Sequence, residues 1–287
     1  MTDFLDLPSE LADLEQARAV VLAIPFEKTT TYGRGTKYGP EAIIAASTQV
    51  ELYDEVLNTE PCQIGIATVR PWLKLDCVPE RAVEEISAAC EELLRQNKFV
   101  AALGGEHTVS VGVVRAFQKF YPHLSVLQLD AHSDLRDSYL GSRLNHACVM
   151  ARIQELCPYV GVGIRSSIAG EQELLRPPSR IFYAWEMVPE SSWQEQVMHT
   201  LGQQVYITID LDFFDPAVVP SVGSPEPGGF HWYETLNFLR KVIQSRQVVG
   251  FDVVELRPRP EFPASDFLAA RLVYKLLGYV FEGVLAT

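Results

Sequence analysis

Residues 124–137 read LSVLQLDAHSDLRD, and this stretch decides the fold. Leu124–Leu129 is a short, largely apolar run of strand length. Asp130, His132 and Asp134 follow it at once. Alternate residues of an extended segment face the same side, so three ligand-type side chains leave a buried strand together. A strand interior does not tolerate such charge unpaired. An Asp-rich surface turn is the weaker alternative, because the DxHxD pattern follows the strand directly.

Seven more short apolar runs lie on either side: Ala19–Ile24, Gln63–Thr68, Phe99–Leu103, Tyr159–Ile164, Arg180–Tyr183, Val205–Leu211 and Val248–Leu256. Several are rich in Val and Ile without polar alternation, as suits strands buried on both faces of a parallel sheet. Between them, Val78–Gln96, His231–Ser245 and Ala264–Phe281 repeat apolar residues at helical spacing, and Pro40 stands at a first helical turn. The alternation predicts an α/β fold with a mostly parallel sheet. No linker, repeat or low-complexity tract interrupts it, so residues 1–287 are expected to form one domain. Ligands of such sheets bind outside the carboxyl ends of the strands.

Two further clusters stand at such ends. VYITIDLDFFDP (205–216) places Asp210 and Asp212 on one side of a strand end, where like charges repel unless a cation lies between them. VAALGGEHTVS (100–110) ends a strand at Gly104–Gly105, which allow a tight turn, and continues into Glu106 and His107. A lone His there is more often structural; beside two carboxylate clusters it reads as a ligand. Asp130, Asp134, Asp210, Asp212, His107 and His132 are too many for one open site and suit two ions sharing carboxylates. Oxygen and imidazole donors without thiolate suit Mn²⁺ better than zinc or copper.

Composition bounds the function. A net charge of −13 disfavours nucleic acid and anionic membrane as partners and weakly favours a cationic substrate. Five cysteines, an odd number with no CxxC pair, argue against a disulfide framework and for reduced thiols. The acidic first residues lack the apolar core of a signal peptide, and no run reaches the ~18 apolar residues of a membrane span. A cytoplasmic enzyme is expected.

GGEHT, DAHSD, IDLDFFDP, SPEPGG and DVVELRP, in this order and over nearly the whole chain, resemble the ureohydrolase family of arginases, agmatinases and related amidinohydrolases. The resemblance implies an arginase-like, single-domain, three-layer α/β/α fold around an eight-stranded, mostly parallel sheet, and a homo-oligomer, trimeric or hexameric. It implies two Mn²⁺ per subunit, one on His107, Asp130, Asp134 and Asp210, the other on Asp130, His132, Asp210 and Asp212. Glu255, in DVVELRP, matches the glutamate that receives the guanidinium; His146, in LNHACVM, matches the histidine that shuttles protons. The chain departs from the pattern at Glu106 (GGEH for GGDH), at Ile44 where relatives carry Arg, and at Asn145 and Ala147 (NHA for SHG).

The guanidinium carbon is a poor electrophile, and two metal ions activate the attacking water. Asp134 is expected to orient the nucleophile, Glu255 to pair with the guanidinium, and His146 to protonate the leaving amine. Plainer roles compete: Glu255 pairing with Arg257, and His146 as a helix-surface residue. Arg165, at another strand end, either lines the mouth of the site or makes a structural ion pair. The segment after DAHSD lacks arginase's polar loop, so agmatine leads as the substrate. Guanidinobutyrate, aminopropylagmatine, formiminoglutamate and arginine follow, and a metal-dependent deacetylase on the same fold is the alternative of another class.

Overall fold

The computed structural model describes residues 2–71, 77–187 and 192–285. Eight strands, β1 (Ala19–Ile24), β2 (Ile66–Val69), β3 (Phe99–Gly104), β4 (Leu124–Leu129), β5 (Tyr159–Ile164), β6 (Arg180–Tyr183), β7 (Gln204–Asp210) and β8 (Gln247–Val254), form one sheet. Its order is β2-β1-β3-β8-β7-β4-β5-β6, and every pairing is parallel.

Helices cover both faces, so both sets of alternating side chains are apolar. Ala19, Val21 and Ala23 of β1 join one core with Ile43 and Ile44 of helix Gly39–Ser47, Leu239 of helix Trp232–Ser245 and Leu272 of helix Ala264–Val280. Val20, Leu22 and Ile24 join the other with Ile86 and Leu93 of helix Pro79–Arg95 and Phe117 of helix Val109–Phe120. Burying each Val, Leu, Ile or Phe side chain contributes roughly 1.5–3 kcal/mol. Ile44 is fully covered in the first core.

Two strand boundaries move by more than a residue from their expected places. β2 begins at Ile66 because Pro61–Ile64 winds into a 3₁₀ turn. β8 ends at Val254 because Glu255 takes a left-handed backbone conformation, φ +65°. The helices agree with their patterns to within about a residue, as helix ends do.

The topology positions the site. β8, last in the chain, lies between β3 and β7, and β4 adjoins β7. The four strands that end in His107, Asp130–Asp134, Asp210–Asp212 and Glu255 are therefore consecutive neighbours in the middle of the sheet.

Candidate metal centre

Gly104 and Gly105 turn the chain out of β3 in a space that admits no side chain. A Cβ on Gly105 would stand 2.1 Å from the carbonyl oxygen of Phe26. Gly105 and Glu106 donate to the carbonyls of Ile24 and Phe26, and Glu255 donates to the carbonyl of Gly105. The turn thus ties the ends of β1, β3 and β8 together and sets His107 among the carboxylates of β4 and β7.

His107 Nδ1 lies 3.2 Å from Asp130 Oδ2, 3.1 Å from Asp134 Oδ2 and 3.4 Å from Asp210 Oδ2. It is buried, yet makes no hydrogen bond. Its other nitrogen, Nε2, is 3.0 Å from Thr208 Oγ1, and Thr208 donates its own proton to Asp252 at 2.6 Å. The Thr208 oxygen must therefore accept from Nε2–H, so in the neutral ring Nδ1 presents a lone pair to three carboxylates. Lone pair and carboxylates repel unless a cation stands among them. Asp252 opens the DVVELRP motif, but the register that places Thr208 beside it belongs to β7 and β8.

A second group forms beside the first. His132 Nδ1 is 2.9 Å from Asp212 Oδ2 and 3.7 Å from Asp130 Oδ1. Two sets of donors, His107–Asp130–Asp210 and Asp130–His132–Asp212, each converge closely enough to hold one ion. Asp130 belongs to both. Backbone bonds set their orientation: Ala131 N–H donates to Asp212, His132 N–H to Asp130 and Asp212 N–H to Asp210. The Gln128 amide donates to Asp130 Oδ2 at 2.8 Å.

The electrostatics show the same shortage of positive charge. Burial, with Asp212 and Asp134 nearby, pushes the Asp130 carboxyl up to about 6. Burial and the charges of Asp212 and Asp130 raise Asp210 well above the carboxylate range. Burial alone would lower both imidazoles, but Asp130 and Asp134 raise His107 well above its ordinary value, and Asp212 with Asp130 raises His132 to about 10. Asp212 goes the other way: burial opposes its charge, but the adjacent His132 holds it below the usual range. Protonation of the two imidazoles offsets part of the carboxylate charge, as divalent ions at these donors would. The orphaned Nδ1 and an all-oxygen-and-imidazole donor set fit a pair of divalent ions.

Asp134 is the outermost acid of the group, with φ +51°, and its carbonyl accepts from Met150 and Ala151 N–H. Glu255 is buried, and its Oε1 accepts from His107 N–H at 2.7 Å. Burial pushes its carboxyl up to about 8. Arg257 does not pair with it; its Nε donates to the carbonyl of Arg34. His146 opens a 3₁₀ turn, capped by the Asn145 side chain accepting from Ala147 N–H, so Asn145 of the NHA variant is a cap. Burial lowers the His146 pKa against the pull of Asp134 and Glu106.

Among the described residues Arg165 makes no ion pair. Its guanidinium donates to the carbonyls of Gly163, Asp212, Glu226 and Pro227, stapling the Asp212 turn to the SPEPGG loop. That loop brings Glu226 Oε1 to 3.8 Å from His132 Nε2.

His107, His132, Asp134, His146, Asp210, Asp212 and Glu255 all line one cavity of about 190 Å³, with Arg136, Tyr139, Glu171 and Gly223. A second cavity adjoins it through Ser167, Ile168 and Glu171 and is bordered by Glu173, Glu186, Tyr183 and the exposed ring of Trp185. Among the described residues no helix is long and apolar enough to cross a membrane, and all five cysteines are unpaired.

Residues 17–278 match the model of the Arginase family. An N(1)-aminopropylagmatine ureohydrolase of Synechocystis is 44% identical over 272 residues, 92% of this chain and 89% of that protein. An agmatinase of Pyrococcus horikoshii is 30% identical over 96% of this chain and 95% of its own length. The crystal structure of the agmatine ureohydrolase of Thermoplasma volcanium superposes with a TM-score of 0.86 at 29% identity, covering 99% of this chain and 96% of that one.

Proposed function

Since this chain belongs to the arginase family of metal-dependent hydrolases, we propose that it binds two Mn²⁺ ions and releases urea from a small guanidino compound with a cationic tail. The ions are held by His107, Asp130, Asp134 and Asp210 on one side and by Asp130, His132, Asp210 and Asp212 on the other. The observation that carries this reading is the buried Nδ1 of His107, which faces three carboxylates within 3.4 Å in the same cavity as Glu255.

Two such ions supply a lowered pKa for the attacking water and positive charge against the developing negative charge. The residues of the chain do the rest. Glu255, pinned by the His107 N–H, accepts from the planar guanidinium and places its carbon over the nucleophile. Arrival of that cation favours the ionised Glu255 carboxylate, which burial otherwise disfavours. Asp134 orients the attacking water by accepting its hydrogen bond. His146 delivers a proton to the leaving amine as the tetrahedral carbon collapses.

N(1)-aminopropylagmatine replaces agmatine as the leading substrate. The more similar relative carries that name, and the adjoining cavity offers Glu173, Glu186 and the Trp185 ring to a more distant ammonium, by charge and by cation–π attraction. Agmatine, the shorter compound, is the second reading, supported by the agmatinase relatives. Urea release with Mn²⁺ from a panel of N(1)-aminopropylagmatine, agmatine, arginine and guanidinobutyrate tests both. A kcat/KM for aminopropylagmatine no higher than for agmatine returns agmatine to first place, and no urea from any of the four refutes the reading.

A further inference from the structure

The loop after β1 carries three threonines, and Thr29 touches both Glu106 and His146. Thr29 Oγ1 donates to Glu106 Oε1 at 2.7 Å. The same oxygen accepts from the His146 backbone N–H at 3.0 Å and lies 3.2 Å from His146 Nδ1. Glu106 is fully buried, and all its partners are donors: Lys28 N–H and Thr29 N–H at 2.6 Å each, with the hydroxyls of Thr29, Thr30 and Thr108.

From this arrangement we infer that Glu106 and Thr29 are positioning residues that decide which nitrogen of His146 carries the shuttled proton. The inference rests on the proposed role of His146 as proton donor. A hydroxyl has one proton and two lone pairs. Thr29 gives its proton to Glu106, so both its lone pairs are acceptors, one for the backbone N–H and one for the ring. Nδ1 must then carry hydrogen. In neutral His146 this leaves Nε2 bare, and in the imidazolium it makes Nε2–H the transferable proton. Nε2 lies 3.5 Å from the exposed Thr31 hydroxyl, which borders the cavity. On transfer, the Nε2–H bond breaks, an N–H bond forms on the leaving amine, and His146 remains as the Nδ1–H imidazole.

The departure from GGDH to GGEH follows from this geometry. The extra methylene carries the carboxylate from the β3 turn to the backbone and hydroxyl of the threonine loop. His107 is served in the same manner by Asp252 through Thr208. Two carboxylate–threonine–histidine chains thus fix two tautomers, one for a metal ligand and one for the proton donor.

The wild-type tautomer is measured on the metal-free, full-length chain labelled with ¹⁵N-histidine, with His146 assigned from the spectrum of His146→Asn. We expect a protonated Nδ1 and a bare Nε2 in neutral His146; an Nε2–H tautomer or an even mixture overturns the inference. Thr29→Val keeps the volume and removes the hydroxyl. It should abolish the tautomer preference and, in the Mn²⁺-loaded enzyme, lower kcat about tenfold or more while KM stays within about twofold. Metal content should not change, and Thr29→Ser should restore kcat. Wild-type kcat in Thr29→Val refutes the relay. If Thr29→Val does not fold, Glu106→Asp, which withdraws the acceptor by one methylene, should show the same kcat loss. If the wild type releases no urea at all, the ureohydrolase reading fails, while the tautomer measurement still decides the relay.

Discussion

Glu255 and Asp134 sit at φ +65° and +51°, a region that costs a residue with a Cβ on the order of 1–3 kcal/mol. Both line the cavity, and the surrounding bonds hold them there: Glu255 N–H donates to Gly105, and His107 N–H donates to its carboxylate. Gln at position 255 keeps the shape but loses the charge and one acceptor. Charge-assisted bonds are worth roughly 1.5–3 kcal/mol each, so Glu255→Gln should lower turnover about tenfold to several hundredfold, at 1.36 kcal/mol per decade. Metal content should be unchanged, because Glu255 stands outside the donor set. Urea release, bound Mn²⁺ and Tm on one preparation check this, and near-wild-type turnover with both ions bound removes Glu255 from the mechanism.

At the scale of elements, the short exit from β4 carries more of the centre than any other segment. Asp130 contributes to both donor groups, whereas His107 and His132 contribute to one each. Asp130→Asn should therefore weaken both ions together, while His132→Asn should spare the His107 side. Titration of Mn²⁺ into each metal-free variant, read by calorimetry, distinguishes the cases; one intact site in Asp130→Asn contradicts a shared ligand. The helical segment that follows β6 carries Glu186 to the second cavity. Exposed charge pairs contribute only about 0.2–1 kcal/mol. The double variant Glu173→Gln, Glu186→Gln should therefore raise KM for aminopropylagmatine by a factor of about two to ten and leave KM for agmatine unchanged. An equal rise for both substrates assigns those acids to overall attraction of cations.

At the scale of the whole molecule, the centre makes the metal-free chain sensitive to alkali. Glu255, raised to about 8, and His132, raised to about 10, hold protons in the folded chain that the unfolded chain has released. His107 behaves likewise. Stability follows the difference in bound protons, unfolded minus folded. That difference is negative here, so the contribution of these groups is lost as pH rises through 7 to 9. His146, whose pKa is lowered, is neutral in both states over that window and adds nothing. Ions bind the deprotonated ligands, so the gain in Tm from saturating Mn²⁺ over chelator should grow from pH 7 to pH 9. A scan by differential fluorimetry checks it, and a gain that shrinks with pH contradicts the assignment of these groups to the metal centre.

The α/β class, the strand and helix segments and the strand ends where candidate ligands gather were legible in the residues, because each depends on periodicity or on neighbours a few positions apart. DxHxD and DxD declare themselves by alternation alone, whatever the rest of the chain does. Only the tertiary structure decided that β8 enters between β3 and β7, which brings Glu255 within bonding distance of a backbone 148 residues away. It also decided the work of Glu106, of Asp252, which the DVVELRP motif marks without giving it a role, and of Arg165, whose bonds go to carbonyls. Glu106 meets Thr29 across 77 positions and Asp252 meets Thr208 across 44. Such pairings exist only once the strand order is set, and neither partner's local pattern depends on the other. A sequence shows which side chains leave a strand end together; which distant hydroxyl or carbonyl awaits them is a property of the closed sheet.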